Sequence, residues 1–132
     1  MLGVDKKIYL LPCDSDFVCQ LDPETNAVKN VGPNLKNEMY VQNKWQNGFS
    51  AADGSIYAVP LKASNVLCIK PHKLLPNGDP EVTLIGGPYY GMNKWESGAL
   101  GPDGCMYVRT KQRGAKRRVL LLHRRFAPTF VN

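Results

Sequence analysis

Few residues in this chain stand at spacings that chemistry uses. His72 and His123 lie in dissimilar contexts, with no Ser, Cys or carboxylate at a spacing that reads as a nucleophile–base pair. Cys13, Cys19, Cys68 and Cys105 lack C-x-x-C spacing and a neighbouring His pair, which speaks against a zinc site. Cys19, Cys68 and Cys105 fall in or beside expected strands, where a thiol acts as a small apolar filler. Asp5, Asp53 and Asp103 recur in matching contexts and could offer one carboxylate per unit to a metal. Their place at a hairpin, before Gly54 and Gly104 in two cases, favours a carboxylate that accepts from turn N–H groups. Lys44-Trp45 and Lys94-Trp95 could present cations and aromatic rings to a ligand. Their recurrence favours packing instead, with each indole filling a gap between neighbouring sheets. Ile85-Gly86-Gly87-Pro88 ends a strand with no helix after it, so it is no phosphate loop. No catalytic, metal or cofactor-binding residue is assigned, no cofactor is expected, and the chain reads as a non-enzyme.

The other chemistry is electrostatic. Residues 1–108 hold nine Lys and Arg against eleven Asp and Glu, while residues 109–132 hold eight Lys and Arg and no acid. The body is near neutral and the C-terminal segment carries +8. Arg113, Lys116, Arg117, Arg118, Arg124 and Arg125 are dense enough to meet phosphates, anionic lipid or an acidic protein patch. Phe126 and Phe130 could stack on bases, yet no RNA-binding fold signature accompanies them. Val119 to Leu122, with Arg on both sides, could equally dock as an edge strand on a neighbouring subunit.

The elements that carry these residues come in copies. KWQNGFSAADGSIYAVPLKASNVLCIKP (44–71) is echoed fifty residues later by KWESGALGPDGCMYV, matching Lys, Trp, Gly, Asp-Gly and Tyr without a gap. Backwards, 5–23 aligns with 53–71 through Asp, Ile, Tyr, Pro and Val, and Val28 to Gly32 matches Val82 to Gly86. A period near fifty residues points to a solenoid, propeller or array. Within a unit, short apolar runs alternate with turn residues: Gly48 to Ala51, Ser55 to Pro60, Asn65 to Ile69 and Glu81 to Ile85. Asp53-Gly54 suits a tight hairpin, and Pro76-Asn77-Gly78-Asp79 marks another turn. Pro71 is expected to stop the third strand, because proline lacks the N–H a ladder needs. Ile56-Tyr57-Ala58-Val59 is apolar at consecutive positions, so both faces of its sheet need cover. No segment reads as a good amphipathic helix, and Asn34 to Gln42 reads as a connecting loop.

The pattern resembles β-propeller repeat proteins. More narrowly, it is similar to a family of single-celled eukaryotes whose units read K-W-x-G-G-x-x-x-P-D-G-x-I-Y-x-x-P, then V-L-x-I-D-P, then an I-G ending. The matching residues are Lys44, Trp45, Gly48, Asp53, Gly54, Ile56, Tyr57, Pro60, Val66, Leu67, Ile69 and Pro71. In the later unit they are Lys94, Trp95, Gly98, Pro102, Asp103, Gly104 and Tyr107. Asn47 and Ser97 replace the first Gly of the pair. The resemblance implies an all-β, partial (open) β-propeller of about two and a half four-stranded antiparallel blades, and it carries no activity with it.

The expected organisation is a propeller-like domain over 1–108, with unit parts at about 5–32, 44–86 and 94–108. A basic extension follows at 109–132, with one further strand open at 118–122. Propellers use about four to eight blades, and about three units are needed before a stack is stable. The expected role is thus a non-catalytic binding or structural module, a small accessory subunit of a larger assembly anchored by its basic tail. Other protein subunits are the expected partners, a hetero-assembly ahead of a homo-oligomer. The alternatives are an RNA- or anionic-surface-binding protein acting through the tail, and a fragment of a propeller-class hydrolase. MLGVDKKIYLLPC lacks the apolar core of a signal peptide, and no apolar stretch approaches membrane-spanning length. A soluble intracellular or organellar chain is expected, its compartment unspecified.

Overall fold

The computed structural model describes residues 1–36, 42–103, 105–110, 119–122 and 128–131. The chain is all-β, with no helix among the described residues. It forms three antiparallel sheets in which strands adjacent in sequence are adjacent in space. The first sheet holds β1 (Ile8–Leu10), β2 (Val18–Leu21) and β3 (Val28–Val31). In the second, β4 (Trp45–Ser50), β5 (Ile56–Pro60), β6 (Val66–Leu74) and β7 (Pro80–Ile85) follow in order. The third pairs β8 (Trp95–Leu100) with β9 (Met106–Thr110), then continues through β10 (Val119–Leu122) to β11 (Pro128–Val131). The basic segment thus contributes two strands to the third sheet. Of the Asn34–Gln42 loop, residues 37–41 lie outside the described residues.

One turn geometry recurs at the head of each sheet. Gly3 N–H donates to Lys7 C=O, Ala51 N–H to Ser55 C=O and Gly101 N–H to Cys105 C=O, each at 2.8 Å. Gly54 takes φ +83° inside the second turn, as its lack of a Cβ permits. Lys6 stands at the matching place in the first turn with φ +64°. That conformation is uncommon for a side-chain-bearing residue, which is why Asp5-Lys6 does not read as a turn.

Pro71 does not end β6. The ladder runs in register to Lys70↔Glu81 and resumes at Leu74↔Pro80, with Pro71 to Lys73 spanning an irregularity. Missing its N–H, proline interrupts the pairing while the extended chain carries on through a bulge.

The three sheets stack face to face. Alternation gives the second sheet two apolar faces. One carries Ile56, Ala58, Leu67, Ile69 and Val82, the other Tyr57, Val59, Val66 and Cys68, all buried. The Ile face packs with Tyr9, Val18 and Val31 of the first sheet and with Trp45 and Leu35. The Tyr face packs with Met106, Val108 and Trp95 of the third sheet. Each fully buried Ile, Leu or Val contributes roughly 1.5–3 kcal/mol, so these two seams are the core.

Close approach at β4 needs glycine. A Cβ on Gly48 would lie 2.7 Å from the Tyr57 carbonyl oxygen and 3.0 Å from Leu11 Cδ1. Because the nearer obstacle is backbone, Gly48→Ala should destabilise the fold by about 1–3 kcal/mol. A lower denaturant midpoint at unchanged slope in urea is the expected reading.

Candidate interaction faces

Three side-chain arrangements shape the stack. The first is a clasp at each turn. Asp5, Asp53 and Asp103 each accept one N–H two residues on, from Lys7 (3.2 Å), Ser55 (2.9 Å) and Cys105 (3.0 Å). The second carboxylate oxygen accepts the O–H of the tyrosine four residues on: Tyr9 at 2.8 Å, Tyr57 at 3.0 Å and Tyr107 at 2.8 Å. Burial pushes Asp53 up, but the Ser55 and Tyr57 hydrogen bonds outweigh it and leave the carboxyl below its ordinary range. Burial and the neighbouring carboxylate hold the Tyr9 phenol far above its ordinary range, with opposition from the Gln20 amide that donates to its oxygen at 2.8 Å. The tyrosine half of this clasp was readable as D-x-x-x-Y at 5–9, 53–57 and 103–107, a signal that the turn-residue reading of the aspartates passed over.

The second arrangement is the Lys-Trp corner, where the sheets are tied together. Lys44 N–H donates to Cys13 C=O at 2.8 Å, and Lys94 N–H donates to Leu61 C=O at 2.9 Å. Trp45 and Trp95 are buried between sheets. Trp45 Nε1–H donates to Asn65 C=O at 2.8 Å, and Trp95 meets Tyr89 edge-to-face at 5.0 Å between centroids. Both lysines are buried as well. Lys94 Nζ donates to Lys62 C=O (3.1 Å) and Gly91 C=O (3.0 Å), and burial pulls its pKa down to about 8. Lys44 Nζ has no hydrogen-bond partner among the described residues. An Asn47 side-chain N–H to Glu96 C=O bond and a Lys29–Asp79 ion pair at 2.7 Å also cross the seams.

The third arrangement is what the stack leaves uncovered. No described residue covers Leu2, Leu10 and Val28 on the Ile face of the first sheet. Leu2, Leu10 and Val28 are 65%, 51% and 64% exposed, whereas Ile56, Ile69 and Val82 on the same face of the second sheet are at most 6% exposed. At the other end, the Tyr face of the third sheet shows Ala99 and a Tyr107 that is 37% exposed. The register there runs Ala99↔Tyr107↔Leu121↔Thr129, paralleling Phe49↔Tyr57↔Cys68↔Thr83 in the second sheet.

Other sequence candidates are placed less closely together. His72 is exposed and lies beside the Asp53-Gly54 turn. Cys13, Cys19, Cys68 and Cys105 are not joined in disulfides among the described residues, and burial pushes the Cys68 thiol up, away from nucleophilic use. No group of three His, Cys, Asp or Glu suited to a metal occurs among the described residues. A pocket of about 110 Å³ beside Trp45 and Leu35 is well below the roughly 300 Å³ at which ligand sites begin. Arg113, Lys116, Arg117, Arg118, His123, Arg124, Arg125, Phe126 and Gly104 lie outside the described residues. Among those residues no helix is long and apolar enough to cross a membrane.

Set against family models, curated proteins and solved structures, the chain matches none of them.

The buried Lys94 makes stability depend on alkaline pH. Its folded pKa lies below its unfolded value, so the unfolded chain holds the extra proton and stability rises with pH in between. Relative to Lys94→Met, the wild type should gain at most about 1.4 kcal/mol per pH unit between pH 8 and 10.5. Parallel urea titrations of the two proteins across that range provide the check.

Proposed function

We propose that this protein is a non-catalytic docking module, an open β-propeller of three blades that works as a small subunit of a larger protein assembly. The carrying observation is the contrast between matching faces. The Ile face of the second sheet is closed by its neighbour, while the same face of the first sheet exposes Leu2, Leu10 and Val28 together. Contiguous exposed apolar surface marks a place where another surface fits. The recurring clasp, the recurring Lys-Trp corner and the parallel strand registers support the blade reading. In a propeller each blade relies on the next for cover, so an open set of three has two raw ends.

The +8 carried by residues 109–132 favours a second reading, in which Arg113, Lys116, Arg117, Arg118, Arg124 and Arg125 hold RNA. Deleting the segment would also strip β10 and β11 from the third sheet. Substitution of the six basic residues by Gln is therefore the cleaner probe.

The native particle containing this chain should run well above the single-chain mass and hold protein subunits in fixed ratio. Native mass spectrometry before and after ribonuclease measures this. A particle of single-chain mass would sink the docking reading. One that collapses on ribonuclease treatment and fails to form with the six-Gln variant would favour the RNA reading.

A further inference from the structure

We infer that the uncovered Ile face of the first sheet is the docking site for the Tyr face of the third sheet of a second copy, so that two chains close head to tail into a six-bladed ring. This rests on the propeller reading above and specifies its partner.

Three observations carry it. The first is continuity with an interface the chain already makes twice. The Tyr face of the first sheet meets the Ile face of the second, and the Tyr face of the second meets the matching face of the third, through Met106 and Val108. Every seam therefore pairs a Tyr face with an Ile face. Among the described residues the stack leaves one Ile face uncovered at its start, and Ala99 and Tyr107 exposed on the Tyr face at its end. The row Leu2↔Ile8↔Leu21↔Val28, exposed at Leu2 and Val28 and half-buried between them, occupies the register of Ser50↔Ile56↔Ile69↔Val82, whose cover is Tyr9 and its neighbours. The cover it calls for is thus a tyrosine row, and of the three clasp tyrosines Tyr107 is the exposed one.

The second observation is number. Rings of about four to eight blades close. Two copies of the three described sheets give six, whereas three sheets fall short of the middle of that range and nine overshoot it. Such an interface is heterologous, joining two different patches, and it ends only when the rotation closes.

The third is charge. Residues 1–32, which form the first sheet, hold five acids against three lysines. Residues 109–132, which include β10 and β11, carry +8. Head-to-tail contact brings the acidic end to the basic end, and tail-to-tail contact would set like charges together. Among the described residues the first sheet shows no strand equivalent to β4 or β8 with its Lys-Trp corner. The contact between copies therefore rests on face packing and charge, without the main-chain tie of the internal seams, and it should weaken with salt.

The test uses the full chain and two single-end variants, Leu10→Glu on the Ile face and Ala99→Glu on the Tyr face. Both side chains are exposed, and circular dichroism with a urea midpoint verifies folding. If Leu10→Glu fails to fold, Val28→Glu replaces it at the far edge of the same face. Sedimentation equilibrium at micromolar concentration should give twice the single-chain mass for the wild type and the single-chain mass for each variant alone. An equimolar mixture of the two variants should return to twice the mass, because one Ile face and one Tyr face in the pair remain intact. A monomeric wild type would overturn the inference, as would an open-ended ladder of species. So would a dimer lost in Leu10→Glu and kept in Ala99→Glu, the mark of two like faces meeting. If the purified wild type is monomeric while the native particle is heavy and contains other chains, the self-docking inference fails and the docking module stands.

Discussion

A sheet that is apolar on both faces has no stable form by itself. The second sheet shows the constraint at full strength, since Ile56, Tyr57, Ala58 and Val59 run consecutively and all are buried. Alternation sends two of these side chains each way, so cover must come from both sides at once. The first and third sheets supply it, and each inherits half of the same problem on its own far side. Most other features serve that stacking. Glycine at 48 lets β4 approach Tyr57 and Leu11 closely, and the Asp–Tyr clasp fixes the turn at the head of each sheet.

The treatment of charge follows from the same geometry. Lysine is seldom buried unless its ammonium finds partners, yet Lys44 and Lys94 both sit inside the corners where sheets meet. Lys94 is held by two carbonyl oxygens and has its pKa pulled down by burial. A cation there limits how the corner can pack, because its donors must meet those carbonyls or remain unsatisfied. It marks a position as well as filling one.

Much of this was legible in the amino-acid order, for local reasons. Short apolar runs, Asp-Gly and the consecutive Ile-Tyr-Ala-Val declare strands, a hairpin and a two-faced sheet, because each depends only on neighbours in the chain. Pro71 was misjudged, since a rule about hydrogen-bond donors predicts a gap in pairing and says nothing about whether the chain stays extended through it. The Lys6 turn was hidden because its backbone conformation is set by the clasp and the pairing around it. Burial of Lys44 and Lys94 was invisible for a similar reason. Whether a lysine points to water or into a seam depends on residues distant in the chain, as with Lys62, whose C=O accepts from Lys94 Nζ. In the basic C-terminal segment an apolar run left one strand open at 118–122, where β10 lies, while nothing in the composition pointed to Pro128–Val131 as a strand.

Two of the ties between sheets are main-chain bonds, from Lys44 N–H to Cys13 C=O and from Lys94 N–H to Leu61 C=O. An acceptor of that kind is indifferent to the side chain it carries, so cysteine in one place and leucine in the other perform the same task. The bond itself does not depend on either side chain, although Leu61 is also buried and packs in its own right. The same corner can therefore be built from two unlike stretches of chain.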